Sequence, residues 1–130
     1  KVENFSYMFQ DTTYNQPLNL WDTSAATNMS YMFKGNTTFS QALNGWDTAN
    51  VGYFNGMFQD TTYNQPLNLW DTSGAFNVSY MFGNNAAFDQ NIKMWNVDAV
   101  SNYYRMFYNA TAMQTNQGAP ETPTSAYFDE

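Results

Sequence analysis

Acidic side chains recur at one position of a repeating pattern and could bind a metal ion. Asp22, Asp47 and Asp71 each follow a Trp, and Asn96 takes the fourth equivalent position. If neighbouring repeats stacked about 4.8 Å apart, Ca²⁺ could bridge these carboxylates, because it prefers oxygen ligands. Alternatively, each Asp accepts hydrogen bonds in a local turn while its charge faces water. The chain has no calcium-loop motif, so the sequence favours the turn and predicts no cofactor, with Ca²⁺ as the alternative.

Aromatic and hydroxyl side chains flank these positions at the same spacing. Aligned Trp rings could hold a sugar, and the Thr that follows each Asp could order water on an ice-binding surface. Strict periodicity among apolar neighbours instead favours a core column for the Trp residues, and one Thr per repeat makes a weak ice-binding surface. Carbohydrate or ice binding is therefore the alternative function. The Thr positions are Thr23, Thr48 and Thr72, and the expected core columns are Trp21, Trp46, Trp70 and Trp95 together with Phe9, Phe33, Phe58, Phe82 and Phe107.

Five N-x-[ST] triplets are candidate N-glycosylation sites. Asn36 and Asn109 fall in predicted loops and are expected to be the better acceptors. The other three Asn residues are predicted helix N-caps, whose side chains are expected to be engaged by the backbone. Those three are Asn4, Asn28 and Asn77.

Composition excludes several classes of protein. The chain contains no Cys and no His, so disulfides, zinc–thiolate sites and imidazole-based catalysis are excluded. The net charge of −7, with only four basic residues, argues against nucleic-acid binding, which needs cations to neutralise phosphates. No apolar run approaches the roughly 20 residues of a membrane span. The carboxylates are spread along the repeat and are not gathered in a cleft, so we expect no enzyme.

The chain is an internal repeat with a double period. A Met-Phe pair recurs at steps of 24, 25, 24 and 25 residues, and an aromatic residue, a Gln, a Leu or Ile and a Trp follow in order. Residues 8–24 recur unchanged at 57–73, which gives a super-period of 49 residues. Repeats of this length are typical of stacked architectures in which neighbouring turns share one core.

The pattern within each repeat predicts the elements that position these residues. We expect a short parallel strand over 18–21 and its equivalents. We also expect a short helix over 28–33, where apolar residues fall at i, i+3 and i+4. The predicted fold is an α/β solenoid that occupies residues 1–113. Residues 114–130 lose the pattern and are expected to form an irregular tail or linker containing Pro and Thr.

The motifs V-x-N-x-S-x-M-F and F-x-Q-x-L-x-x-W-D-T-S resemble the repeat of BspA-like leucine-rich-repeat surface proteins. These proteins include the Mycoplasma-type lipoprotein repeat family of unknown function. The resemblance runs from Val2 to about Met113. It implies a leucine-rich-repeat-like stack, an extracellular or cell-surface location, and roles in adhesion or protein binding.

The repeat also predicts how the protein works. The first residues are already in repeat register, without a capping segment. Two explanations fit this expectation of an open end: the chain is part of a longer surface protein, or its open ends stack on other copies. The sequence therefore predicts a non-enzymatic structural or adhesive module that contacts other proteins or copies of itself, head to tail, in a filament.

Overall fold

The computed structural model describes residues 1–129, and most of them lie in turns and irregular segments. The regular elements are helix α1, Thr111–Asn116, and a 3₁₀ helix, Ser125–Phe128. Within the described residues 8% of the chain is helical, 4% forms isolated strand bridges, and no sheet is present. The predicted α/β solenoid of leucine-rich-repeat-like strand–helix units is therefore wrong.

Both predicted repeat elements are replaced by turns. At the predicted strand over 18–21, the Trp21 N–H donates to the Leu18 carbonyl at 3.1 Å, and later repeats make the same tight turn. At the predicted helix over 28–33, isolated parallel bridges replace helical hydrogen bonding, and they link Asn28 to Asn4 and to Tyr53. Asn28 does accept a hydrogen bond from the Ser30 N–H, as a helix cap would, but no helix follows.

Successive repeats nevertheless lie side by side. At each junction four regularly placed N–H groups donate to the following repeat, and one or two N–H groups at the start of that repeat donate back, as Thr27 and Asn28 do to the Glu3 carbonyl. The four forward donors are alternate residues. Of the N–H groups between them, the first in most repeats donates to an Asn side chain two residues back, as Ser30 does to Asn28, and the later ones donate to carbonyls three residues back. We call the repeats coils 1 to 5: residues 2–25, 26–50, 51–74, 75–99 and 100–113. In coil 2 the donors are Met29, Tyr31, Phe33 and Gly35, and their acceptors in coil 3 are Tyr53, Asn55, Met57 and Gln59, at 2.9–3.0 Å.

Two left-handed backbone positions, four residues apart in every coil, explain why no helix forms. A left-handed residue ends a right-handed helix, because the chain direction changes there. The second position carries Asp, Gly or Asn, the residues that tolerate this conformation, but the first carries mostly Tyr. The first set is Tyr7, Tyr31, Gly56, Tyr80 and Arg105, and the second is Asp11, Gly35, Asp60, Asn84 and Asn109.

A ladder of Phe rings forms the centre of the core. Each ring stacks on the next coil's ring at centroid distances of 5.5, 5.7, 5.7 and 5.9 Å. Within a coil the same ring also stacks on the second aromatic residue, as Phe82 does on Phe88 at 4.0 Å. Each buried aromatic ring removes roughly 150–250 Å² of apolar area from water. The ladder therefore provides apolar burial that the backbone turns do not provide by themselves. Its members are the partly buried Phe9 and the buried Phe33, Phe58, Phe82 and Phe107.

The last coil is covered by a C-terminal segment, defined here as residues 117–128. Helix α1 leads into it, and the side chains of Asn116 and Gln117 donate to Asp89 of coil 4 at 3.0 and 2.9 Å. Phe128 is buried against Tyr103. This segment of the predicted tail therefore packs against the stack.

Two glycines test the left-handed backbone requirement. Gly35 has φ +77°, and a Cβ there would collide with the Asp11 carboxylate, whereas Gly45 has open space around it. We expect Gly35→Ala to lower the free energy of unfolding by about 1–2 kcal/mol or more, since an L-residue is strained in the left-handed region. Gly45→Ala should raise that free energy by up to about 1 kcal/mol through a less flexible unfolded chain. Urea unfolding measures both, and equal effects of the two substitutions would contradict this account.

Candidate protein-contact face

The N-terminal end of the stack exposes side chains that are buried in every later coil. Met8 is 41% exposed, whereas the four later Met residues of its column are fully buried. Trp21 is 37% exposed, against 3–4% for its equivalents, and Val2 is also exposed. Together with Phe5, these side chains line a shallow, mostly apolar depression of about 290 Å³. We call this surface the N-terminal face.

The same face carries a row of backbone carbonyls without hydrogen-bond donors among residues 1–129. The equivalent carbonyls in coil 2 accept the four bonds from coil 1, at 2.8–3.1 Å. A further coil placed on this face would thus find the same acceptors that every internal junction uses. The open carbonyls belong to Asn4, Ser6, Met8 and Gln10, and the paired ones belong to Asn28, Ser30, Met32 and Lys34.

A charged rim borders the apolar depression. Lys1 Nζ lies 3.4 Å from an Asp22 carboxylate oxygen, but both side chains are more than half exposed, so this ion pair adds little stability. The Ser24 hydroxyl and backbone N–H donate to the same carboxylate at 2.6 and 3.0 Å. These hydrogen bonds, with a smaller effect from Lys1, lower the pKa of Asp22 to about 2.

The Trp and Thr columns mostly face inwards. Trp46, Trp70 and Trp95 are buried, and each indole N–H donates to a Leu carbonyl of the preceding coil at 2.8–3.0 Å. The Thr hydroxyls of the column are also buried and donate to carbonyls of the following coil. Neither column presents a surface for sugar or ice, apart from the exposed ring of Trp21 at the N-terminal face.

The Asp column makes local turns. Asp22, Asp47, Asp71 and Asn96 each accept a hydrogen bond from the N–H two residues later, at 2.9–3.1 Å. Hydrogen bonds from Ser73 also lower the pKa of Asp71. Among residues 1–129 no group of three or more acidic side chains is placed to hold a metal ion.

The candidate glycosylation sites differ in accessibility. Asn36 is fully buried, its amide donates to the Tyr14 carbonyl at 3.0 Å, and its oxygen accepts two backbone N–H groups. Asn36 lies outside any helix or strand, as expected, but the expectation that it is one of the better acceptors is wrong, since the folded chain has no room for a glycan there. Asn109 and Asn4 are exposed, whereas Asn28 and Asn77 are half-buried and accept hydrogen bonds in turns.

Sequence reasoning missed an apolar ridge on the side of the stack. Leu20 is 92% exposed and Leu69 is 71% exposed, and both precede a Trp by one residue. Met94 continues this column, with Gly45 between the two Leu residues. The repeat offers one signal: this column includes Gly45, whereas the buried column two residues earlier holds Leu or Ile in coils 1 to 4.

Comparison with known proteins identifies the family. A family described as Mycoplasma proteins of unknown function, DUF285, matches residues 1–73 and 59–124. The two matches span most of the chain, so the chain belongs to this family, which confirms the coarser part of the resemblance. No curated protein and no solved structure is similar enough to be matched. Within the described residues, no helix is both long and apolar enough to cross a membrane.

The hydrogen bonds to Asp22, at the rim of the N-terminal face, should be visible as a lowered midpoint in a pH titration of its carboxyl group. Since the folded pKa of Asp22 is about 2 and the unfolded one is about 3.9, its stabilising effect is present above pH ~4 and is lost as pH falls towards 2. We expect Ser24→Ala to raise the Asp22 midpoint towards about 3.9. NMR titration of the side-chain carboxyl measures it. Ser40→Ala, another surface hydroxyl, is the control, and an unchanged midpoint in Ser24→Ala would refute the assignment.

Proposed function

We propose that this protein is a non-enzymatic structural and adhesive module that contacts other proteins through its ends and assembles head to tail with copies of itself. The observation that carries the proposal is the N-terminal face, where an apolar depression lies beside four backbone carbonyls without donors. This combination suits a coil that offers N–H groups in the same register. The occupant we propose is the C-terminal end of a second copy.

Polarity is the physical reason for a head-to-tail arrangement. At every internal junction the four alternate N–H groups donate towards the C-terminal side of the stack. Two N-terminal faces placed together would oppose carbonyl to carbonyl, whereas a donor end placed on an N-terminal face repeats an internal junction. A contact between unlike surfaces that does not close into a ring extends into a filament.

An extracellular or cell-surface location is part of the proposal. It is supported by the resemblance to BspA-like surface proteins, whose adhesive roles agree with a module that binds through exposed ends. The burial of the Trp and Thr columns argues against carbohydrate or ice binding by those residues.

Substitution on the N-terminal face should weaken self-association. Met8→Glu places a carboxylate that would be buried without a partner in the contact, at a cost of several kcal/mol. Because each 1.4 kcal/mol is tenfold, we expect the association constant to fall by about tenfold or more. Sedimentation velocity over a concentration series measures it, and Leu20→Glu, an exposed apolar residue on the side of the stack, is the matched control.

The outcomes separate the proposal from its competitors. Loss of association with Met8→Glu but not with Leu20→Glu supports end-to-end contact. Loss with Leu20→Glu alone would move the contact to the side of the stack and overturn the proposal. A chain that stays monomeric at every concentration, both as the wild type and with its C-terminal segment displaced, would also overturn it.

A further inference from the structure

We propose that the C-terminal segment (117–128) regulates head-to-tail assembly by occupying the donor end of the stack, so that a second copy binds only when this segment is displaced. The inference rests on the proposed function and adds a control step to it. The segment would act as a competitor for the site that the N-terminal face of another copy recognises.

Hydrogen bonding gives the first reason. The Phe107 N–H donates to the Glu121 carbonyl at 3.1 Å, and the Arg105 N–H donates to the Thr122 hydroxyl at 2.9 Å. In coil 4 the equivalent donors, Phe82 and Tyr80, bond to coil 5. Two residues of the C-terminal segment thus supply acceptors where another coil would supply them.

Ring packing gives the second reason. The Tyr127 ring meets Phe107 edge to face at 5.9 Å, on the ladder that stacked Phe rings build in the preceding coils. Phe128 packs on Tyr103 at 6.2 Å and is buried. The Glu121 carboxylate lies 3.7 Å from the Arg105 guanidinium. The segment therefore covers the end of the core, but its Tyr127 ring contacts Phe107 edge to face, whereas Phe82 and Phe107 are stacked.

The cover is incomplete, which makes it displaceable. Among residues 1–129, the N–H groups of Tyr103 and Asn109 have no acceptor, although their equivalents in coil 4 do. A depression of about 510 Å³ remains between the segment and residues 95–98 of coil 4. The segment satisfies two of four donors, whereas the N-terminal face of a second copy offers four carbonyls.

Attachment to the same chain favours the segment despite its poorer fit. A tethered competitor acts at an effective concentration in the millimolar range, so a second copy in dilute solution competes poorly. Loosening the segment removes this advantage and should expose all four donors together with Phe107. The expected behaviour is weak association of the intact chain and strong association once the segment is released.

The test uses the full chain with its C-terminal segment loosened. Phe128→Ala removes the buried ring, and Thr122→Val removes only the hydroxyl that accepts from Arg105. We expect both to raise the association constant, Phe128→Ala by about tenfold or more. Adding Met8→Glu to either variant should abolish the gain. Thr115→Val, an exposed Thr on α1, is the matched control and should change nothing. Near-ultraviolet circular dichroism checks that each variant keeps its core.

Hydrogen exchange distinguishes failure of regulation by the C-terminal segment from failure of the proposed function. On assembly, the Ala119 and Tyr127 amides should lose protection while the Phe107 amide keeps it, because its acceptor is replaced. If the intact chain assembles through Met8 and these amides stay protected, regulation by the C-terminal segment is refuted and the proposed function stands. If the loosened variants remain folded and monomeric, both are refuted. If they assemble irrespective of Met8→Glu, the N-terminal face is not the partner site.

Discussion

The left-handed residues that recur twice in each coil are the constraint on which the rest of the structure depends. They end any incipient helix and turn alternate N–H groups outwards, where the next coil is their acceptor. A single coil cannot satisfy these groups by itself, so the backbone of one repeat is completed by its neighbour. The Phe ladder then packs in the register that the hydrogen bonds define.

The sequence predicts which residues lie inside better than it predicts the path of the backbone. Met29, Met32 and Phe33 have helical spacing and are all buried, but a run of turns satisfies the same spacing. The left-handed residue between them is Tyr31, a residue type that gives no local signal for that conformation. At the second left-handed position Gly and Asn do give one. Tertiary hydrogen bonds thus override the local preference at the first position.

The candidate site shows the same division between pattern and geometry. Register alone places Val2 at the first position of a coil, equivalent to Ala26 and Val51. The covering of the C-terminal end of the stack by Tyr127 and Phe128 depends on contacts with coil 5 that no repeat position encodes. The sequence also gives no sign that Asn36 is buried. Its side-chain amide donates to the Tyr14 carbonyl of coil 1, and its oxygen accepts from the Phe39 N–H of coil 2.

The identity of residues 8–24 with 57–73 has a consequence for how such chains change length. A deletion or duplication of 49 residues between equivalent points would leave the sequence at the crossover unaltered and keep Phe next to Phe in the ladder. Length can therefore vary in steps of two coils during evolution, while the hydrogen-bond register between coils and the order of the Phe ladder are kept.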